Sequence, residues 1–403
     1  MKEFRFYDAD RHVIEPIQMW IDYVDEEIYK EFPINILFDT DDKRVDRVYR
    51  LGEKADVTLP PIYKIGNHDT LRHWDESLQL ACLDGHNNQS ERIKAIQPDT
   101  QIESMDESGV DWASIQPTFA SFIVNNELLP SRVSLAYAQA YNSWLKDYCS
   151  YCPDRLFPIA LISRHDTGNM LFQLNQVIVN GWKAIVVRPE MILGKTLGHS
   201  DYNEFWKRCE ENNIAVSLHG GTHAQLQTAG SDRFTDHFSL HACSHPIELQ
   251  MAFLSLLQSG VLERHPKLKF AFLEAGASWV PHWLWRLDNI CYPEFKSLTC
   301  ENIKMLPSEY FKRQCWVGFE LGEPCLRDVI NIIGHEKLIY GSDFPHPDHS
   351  QFSIEDVQLQ LPELTEYELV DLLENNAKVF YGFENHKNES ALSKETNCLA
   401  EVD

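Results

Sequence analysis

The sequence predicts an α/β fold, a closed (β/α)8 TIM barrel with insertions after its first and fifth strands. Two observations carry this. Eight short apolar runs lie along the chain, at residues 4–8, 110–115, 156–161, 182–187, 214–218, 268–273, 315–319 and 337–341. Helical patterns separate most of them, and alternating strand and helix implies a parallel sheet that closes at eight repeats. Most runs are continuously apolar rather than alternating, as buried parallel strands are. A doubly wound open sheet is the structural alternative.

The elements follow in order. The first run, Phe4-Arg5-Phe6-Tyr7, leads into Asp8-Ala9-Asp10-Arg11-His12-Val13-Ile14-Glu15-Pro16. Residues 17–100 then separate it from the helix before the second strand, too long for a plain loop. Residues 130–149 have helical spacing, with Ala136, Ala138, Tyr141, Trp144 and Leu145 on its faces. The fifth run ends in His219-Gly220-Gly221, and the His-rich connection 220–244 follows it. Residues 245–264 and 364–380 are again helical in period. Both long connections leave the C-terminal face, where barrel active sites sit, so both are expected to act as lids. Residues 1–384 are expected to form one barrel domain, and the polar, aperiodic 385–403 a disordered tail.

Composition narrows the function. With 36 Lys and Arg against 61 Asp and Glu, the formal charge is −25, which argues against nucleic-acid or anionic-membrane partners. No apolar run is long enough to span a bilayer, and no signal-peptide pattern opens the chain, so a cytoplasmic protein is expected. The expected partner is a small molecule, and a homodimer is the assembly left open. Ten cysteines are scattered; Cys149 and Cys152 form a single CxxC with no second pair to complete a zinc site, so free thiols are expected.

The chemistry lies at the strand ends. Asp10 and His12 are two apart in extended chain and point to the same side. His219 ends the fifth run and Asp343, in Gly341-Ser342-Asp343-Phe344-Pro345-His346, follows the eighth. Together they make a four-ligand N/O set suited to zinc, or to manganese or iron at higher coordination number. Each has a plainer reading: Asp10 as a turn cap with Asp8 as ligand, His12 as a core histidine, His219 as a turn former, Asp343 as an N-cap. Coincidence of all four at barrel strand ends favours the metal. Glu274, ending the sixth run, is a candidate general acid/base or a buried structural acid. Arg188 at the fourth strand end and Arg50 in the first insertion could bind a substrate carboxylate, Arg50 being equally readable as a surface residue. His245 is a substrate contact or a cap, and His346 a substrate contact or, more often, a support for the site.

These residues resemble the amidohydrolase-related family that includes aminocarboxymuconate-semialdehyde decarboxylase and the dihydroxybenzoate-type decarboxylases. The likeness runs from about residue 4 to 383. Besides the segments around Asp10 and Asp343, it rests on Met105-Asp106-Glu107-Ser108-Gly109-Val110-Asp111, on 259–268, on Phe272-Leu273-Glu274-Ala275-Gly276-Ala277-Ser278-Trp279 and on Asn375-Asn376-Ala377-Lys378. The resemblance implies a distorted barrel with one divalent ion, held by Asp10, His12, His219 and Asp343. Zinc is the first expectation, with Mn2+ and Fe2+ as alternatives, and Asp343 is expected to shuttle protons. The chain departs from the family at Asp10, usually His or Glu, and at Glu274, usually a catalytic His. The second departure tilts the expected reaction towards hydrolysis of a C–N or C–C bond by metal-activated water. Non-oxidative decarboxylation of an aromatic or muconate-like acid is the alternative, and an inactive binding barrel the third.

Overall fold

The computed structural model describes residues 5–37, 62–70, 89–221, 224–346 and 364–382. Among these described residues there are twelve strands. β1 (Tyr7–His12), β5 (Trp112–Gln116), β6 (Leu156–Pro158), β7 (Ala160–Leu161), β8 (Ala184–Val187), β9 (Ala215–His219), β10 (Phe270–Leu273), β11 (Cys315–Phe319) and β12 (Leu338–Tyr340) are the parallel strands. β2 (Ile34–Leu37), β3 (Ile62–Ile65) and β4 (His68–Asp69) form a separate antiparallel sheet in the first insertion.

β6 and β7 are two halves of one barrel strand. Pro158 lacks an N–H, and the ladder changes hands there: β6 pairs with β5, and β7 with β8. The remaining gap is bridged beside β1, where His12 N donates to Phe344 O at 2.7 Å and Asp343 N to Asp10 O at 2.9 Å. The strand order is therefore β1, β5, β6/β7, β8, β9, β10, β11, β12 and back to β1, the expected TIM barrel.

Seven of the eight expected runs overlap their strands closely. The first is displaced: it continues to His12 rather than stopping at residue 8. Asp8, Asp10, Arg11 and His12 look like residues leaving a strand, yet all are buried, and the fold supplies hydrogen-bond partners for Asp8, Arg11 and His12. The CxxC pair is two buried cysteines at the end of the helix Ser131–Ser150, and burial pushes the Cys149 thiol up.

Apolar side chains fill the layer between strands and helices. Phe272 of β10 is fully buried, with the Phe253, Phe311 and Trp279 rings 6.1, 5.7 and 5.9 Å from its own; burial of such a ring contributes roughly 1.5–3 kcal/mol. The first insertion docks on Ser131–Ser150: Trp20 packs on Tyr137, whose hydroxyl donates to Phe32 O at 2.6 Å. The second insertion carries a helix, His237–Ser244, and Ala224 and Leu226 are buried with Ile192. No helix among the described residues is long and apolar enough to cross a membrane.

Candidate metal centre

Asp10 and His12 sit on β1, His219 is the last residue of β9, Glu274 follows β10, and Asp343 lies three residues beyond β12. Glu274 and Asp343 adopt φ of 59° and 54°, left-handed values uncommon for residues with a Cβ. Such strain at two acids that end β10 and β12, either side of β11, is a mark of a functional site. Gly341 makes the approach of β12 to β1 feasible, since a Cβ there would lie 2.5 Å from Asp10 Cβ.

The result is a compact donor cluster. His12 Nε2 and His219 Nε2 are 3.0 Å apart. Asp10 Oδ1 lies 3.4 Å from the first and 3.3 Å from the second, and Asp343 Oδ1 lies 3.3 Å from His12 Nε2. The other ring nitrogens face acceptors: His12 Nδ1 donates to Pro117 O at 3.0 Å, and His219 Nδ1 faces Gly220 O and Glu274 Oε2, each at 3.2 Å. That places the Nε2 lone pair of each neutral imidazole in the same small space, which is repulsive unless a positive charge sits between them. The spacings match the edge of about 3.3 Å expected of a tetrahedron with ligands 2.0–2.1 Å from its centre. Buried Asp10 Oδ1 has no hydrogen-bond donor among the described residues. These residues fit a divalent cation.

The electrostatics agree. Against the cost of burial, the Asp10 and Glu274 carboxylates push His219 up to about 9. His12 rises well above its ordinary value, because the nearby Asp10 and Asp343 carboxylates outweigh burial. Asp10 also is buried, yet the two histidines hold its carboxyl below the usual carboxylate range. The pocket is a field that calls for positive charge.

Asp8, the alternative ligand, is occupied elsewhere. Its carboxylate accepts from Ser342 N at 2.9 Å and Ser342 Oγ at 2.5 Å, and pairs with Arg11 at 3.4 Å. Arg11 in turn donates to Ser104 and lies 3.9 Å over the Phe344 ring. This buried knot ties the loop bearing Asp343 to β1.

The remaining candidates divide. Glu274 stands among three histidines, with Oε2 3.2 Å from His219 Nδ1 and 3.9 Å from His245 Nε2, and Oε1 3.9 Å from His346 Nδ1. His346 Nδ1 donates to Asp343 Oδ1 at 2.6 Å, and its Nε2 is 3.0 Å from Thr118 Oγ1. Arg188 departs from the expected substrate role. Its guanidinium is buried and bonds both Glu190 oxygens, at 3.0 and 2.5 Å, and the Gly220 and Gly221 carbonyls, at 3.0 and 2.6 Å. It shapes the turn after His219 instead of presenting a fork to a carboxylate. Arg50 lies outside the described residues.

One supporting residue had gone unread. Glu15 is buried and accepts the backbone N–H groups of Thr118, Phe119 and Ala120 at 2.9–3.1 Å; burial raises its carboxyl to about 7. It anchors the turn carrying Pro117 and Thr118, which hold His12 and His346. The only sequence signal was a carboxylate three residues past His12.

Residues 8–383 match the model of the family described as amidohydrolase, and the chain belongs to that family of metal-dependent enzymes. A 2-amino-3-carboxymuconate-6-semialdehyde decarboxylase from Dictyostelium discoideum is 23% identical over 327 residues, covering 81% of this chain and 88% of that protein. Among solved structures, an amidohydrolase from Mycobacterium avium subsp. paratuberculosis K-10 superposes with TM-score 0.73 at 20% identity, over 95% of this chain and 100% of the other. A dihydroxybenzoic acid decarboxylase from Polaromonas sp. JS666, with bound manganese and the inhibitor 2-nitroresorcinol, gives TM-score 0.63 at 17% identity, over 75% and 91%.

Proposed function

We propose that Asp10, His12, His219 and Asp343 hold one divalent cation and that the enzyme is a non-oxidative decarboxylase of a small, unsaturated or aromatic carboxylic acid. The named reactions of the Dictyostelium and Polaromonas relatives support this over the hydrolysis expected from the sequence. The observation that carries it is the place of Glu274, behind His219 and hydrogen-bonding distance from its Nδ1. An acid in that position supports a ligating histidine, so the absence of a histidine at 274 no longer counts against decarboxylation. The N/O donor set suits Zn2+ or Mn2+, and the manganese in the Polaromonas structure makes Mn2+ the first ion to try.

When bound, a divalent cation anchors and polarises substrate oxygens near the leaving carboxylate. Glu274 accepts from His219 Nδ1 and keeps Nε2 free to donate its lone pair. Pro117 O does the same for His12. The C–CO2 bond breaks with its electron pair left on carbon, and that carbon needs a proton. The Asp343–His346 pair supplies it: His346, protonated on both nitrogens, passes its Nδ1 proton by way of Asp343 to the carbon and is left a neutral imidazole. Thr118 holds the imidazole in place through Nε2. The connection 220–244 is assigned the role of a lid over this mouth, and the whole of 1–384 one catalytic domain.

The test is a panel of hydroxy- and amino-substituted benzoates and muconate-type acids offered to manganese-loaded protein, with CO2 release as the readout. Release from at least one acid, lost in His219→Ala, is expected. Cleavage of amides or lactams without any CO2 from the acids would overturn the reading.

A further inference from the structure

Gln116 is the last residue of β5, and its Cα is paired with that of His12 across the parallel β1–β5 ladder. Partners in such a ladder carry their side chains on the same face of the sheet. His12 is on the face of the donor cluster, so the Gln116 carboxamide stands beside it at the C-terminal end of the barrel. The backbone of Gln116 is committed, its carbonyl accepting from Val13 N at 3.2 Å. The side chain is not. It is fully buried, and neither Nε2 nor Oε1 has a hydrogen-bond partner among the described residues.

The other buried glutamines show how unusual this is. Gln101 donates to His12 O, Gln173 to the Ser163 and Asn169 carbonyls while accepting from Ser163 N, and Gln314 to the His265 and Leu268 carbonyls. Each ties two parts of the barrel together. Among the described buried glutamines, Gln116 alone has no side-chain atom so engaged. A buried amide with two donors and an acceptor unused is costly, and native proteins keep such groups where a ligand completes them. The carbonyl of the next residue, Pro117 O, is taken by His12 Nδ1.

We propose that Gln116 is a substrate-recognition residue, its carboxamide donating to one substrate oxygen and accepting from a hydroxyl or amino hydrogen on the adjacent position. A carboxamide offers both roles about 2 Å apart, and so discriminates between an acid bearing such a neighbouring group and one lacking it. The class of substrate rests on the decarboxylase reading above; the recognition role of Gln116 rests on its burial and register.

The test uses full-length, manganese-loaded protein and Gln116→Met, which keeps length and removes both polar atoms. The probes are 2-nitroresorcinol, which has hydroxyls flanking its nitro group, and nitrobenzene, which has none. The variant is expected to bind 2-nitroresorcinol roughly 10–100-fold more weakly, from loss of two hydrogen bonds. Its affinity for nitrobenzene and its manganese content should match wild type. Unchanged affinity for 2-nitroresorcinol overturns the proposal, as does a fall in manganese content or in ligand-free Tm, either of which makes Gln116 structural. If wild type binds neither probe, the substrate reading fails on its own, and ligand-free Tm decides for Gln116. A rise of about 1–3 °C in the methionine variant is expected of an unpaired recognition group; no rise overturns it.

Discussion

Replacing Glu274 by Gln separates the two roles a carboxylate could have at this position. The substitution keeps shape and an acceptor oxygen for His219 Nδ1, but removes a charge 3.2 Å from that nitrogen. A full charge pair at this distance, with an effective dielectric near 20, is worth about 5 kcal/mol. The N–H of a ligating imidazole carries only a fraction of a charge, so the loss should be nearer 1.4–2.7 kcal/mol. That equals about 10–100-fold in metal affinity, the range typical of such supporting partners. Competition for Mn2+ against a chelator of known affinity measures it directly, with turnover followed at saturating metal. The tethering role predicts weaker metal binding and turnover that largely recovers when metal is added in excess. Unchanged metal affinity with turnover reduced by about 2–4 orders of magnitude would refute it and make Glu274 the proton carrier.

Two further perturbations probe the support around the site. Glu15→Ala leaves the N–H groups of Thr118, Phe119 and Ala120 without their acceptor; at about 1–3 kcal/mol per buried orphan, urea unfolding should show a loss of about 3 kcal/mol or more, and an unchanged midpoint would remove Glu15 from the scaffold. Glu248, which accepts from Ala229 N in the second insertion, is raised from 4.5 to about 8 by burial and by the Glu190 charge. The folded state therefore holds an extra proton between those values, and stability should fall as pH rises through that window, by no more than about 1.4 kcal/mol per pH unit. Glu248→Gln stays neutral and should flatten the fall in Tm between about pH 5 and 8; an identical slope in the variant would contradict this.

The barrel was legible because its strands are buried on both faces and read as unbroken apolar runs. β8, β9 and β11 were placed within two residues. β1 was misjudged because its polar residues are paid for by contacts more than 300 residues away, such as Asp8 with Ser342, and no local pattern records them. His219 and Asp343 stood out as polar residues directly after apolar runs. Glu274 was visible by the same rule, but its role depends on a left-handed turn that aims it at His219 Nδ1. Arg188 misled because its partner Glu190 is two residues away, and only the folded turn shows that this carboxylate closes back on the guanidinium. Gln116 gave no signal at all, being one polar residue at the end of a strand, and it gains meaning only from its register with His12.

The most direct test of the central claim is an anomalous difference map from crystals of the full-length protein grown with Mn2+. The account predicts a single strong peak within coordination distance of Asp10, His12, His219 and Asp343, absent from crystals of His219→Ala. A peak bound by other residues, or a peak that survives unchanged in His219→Ala, would contradict it.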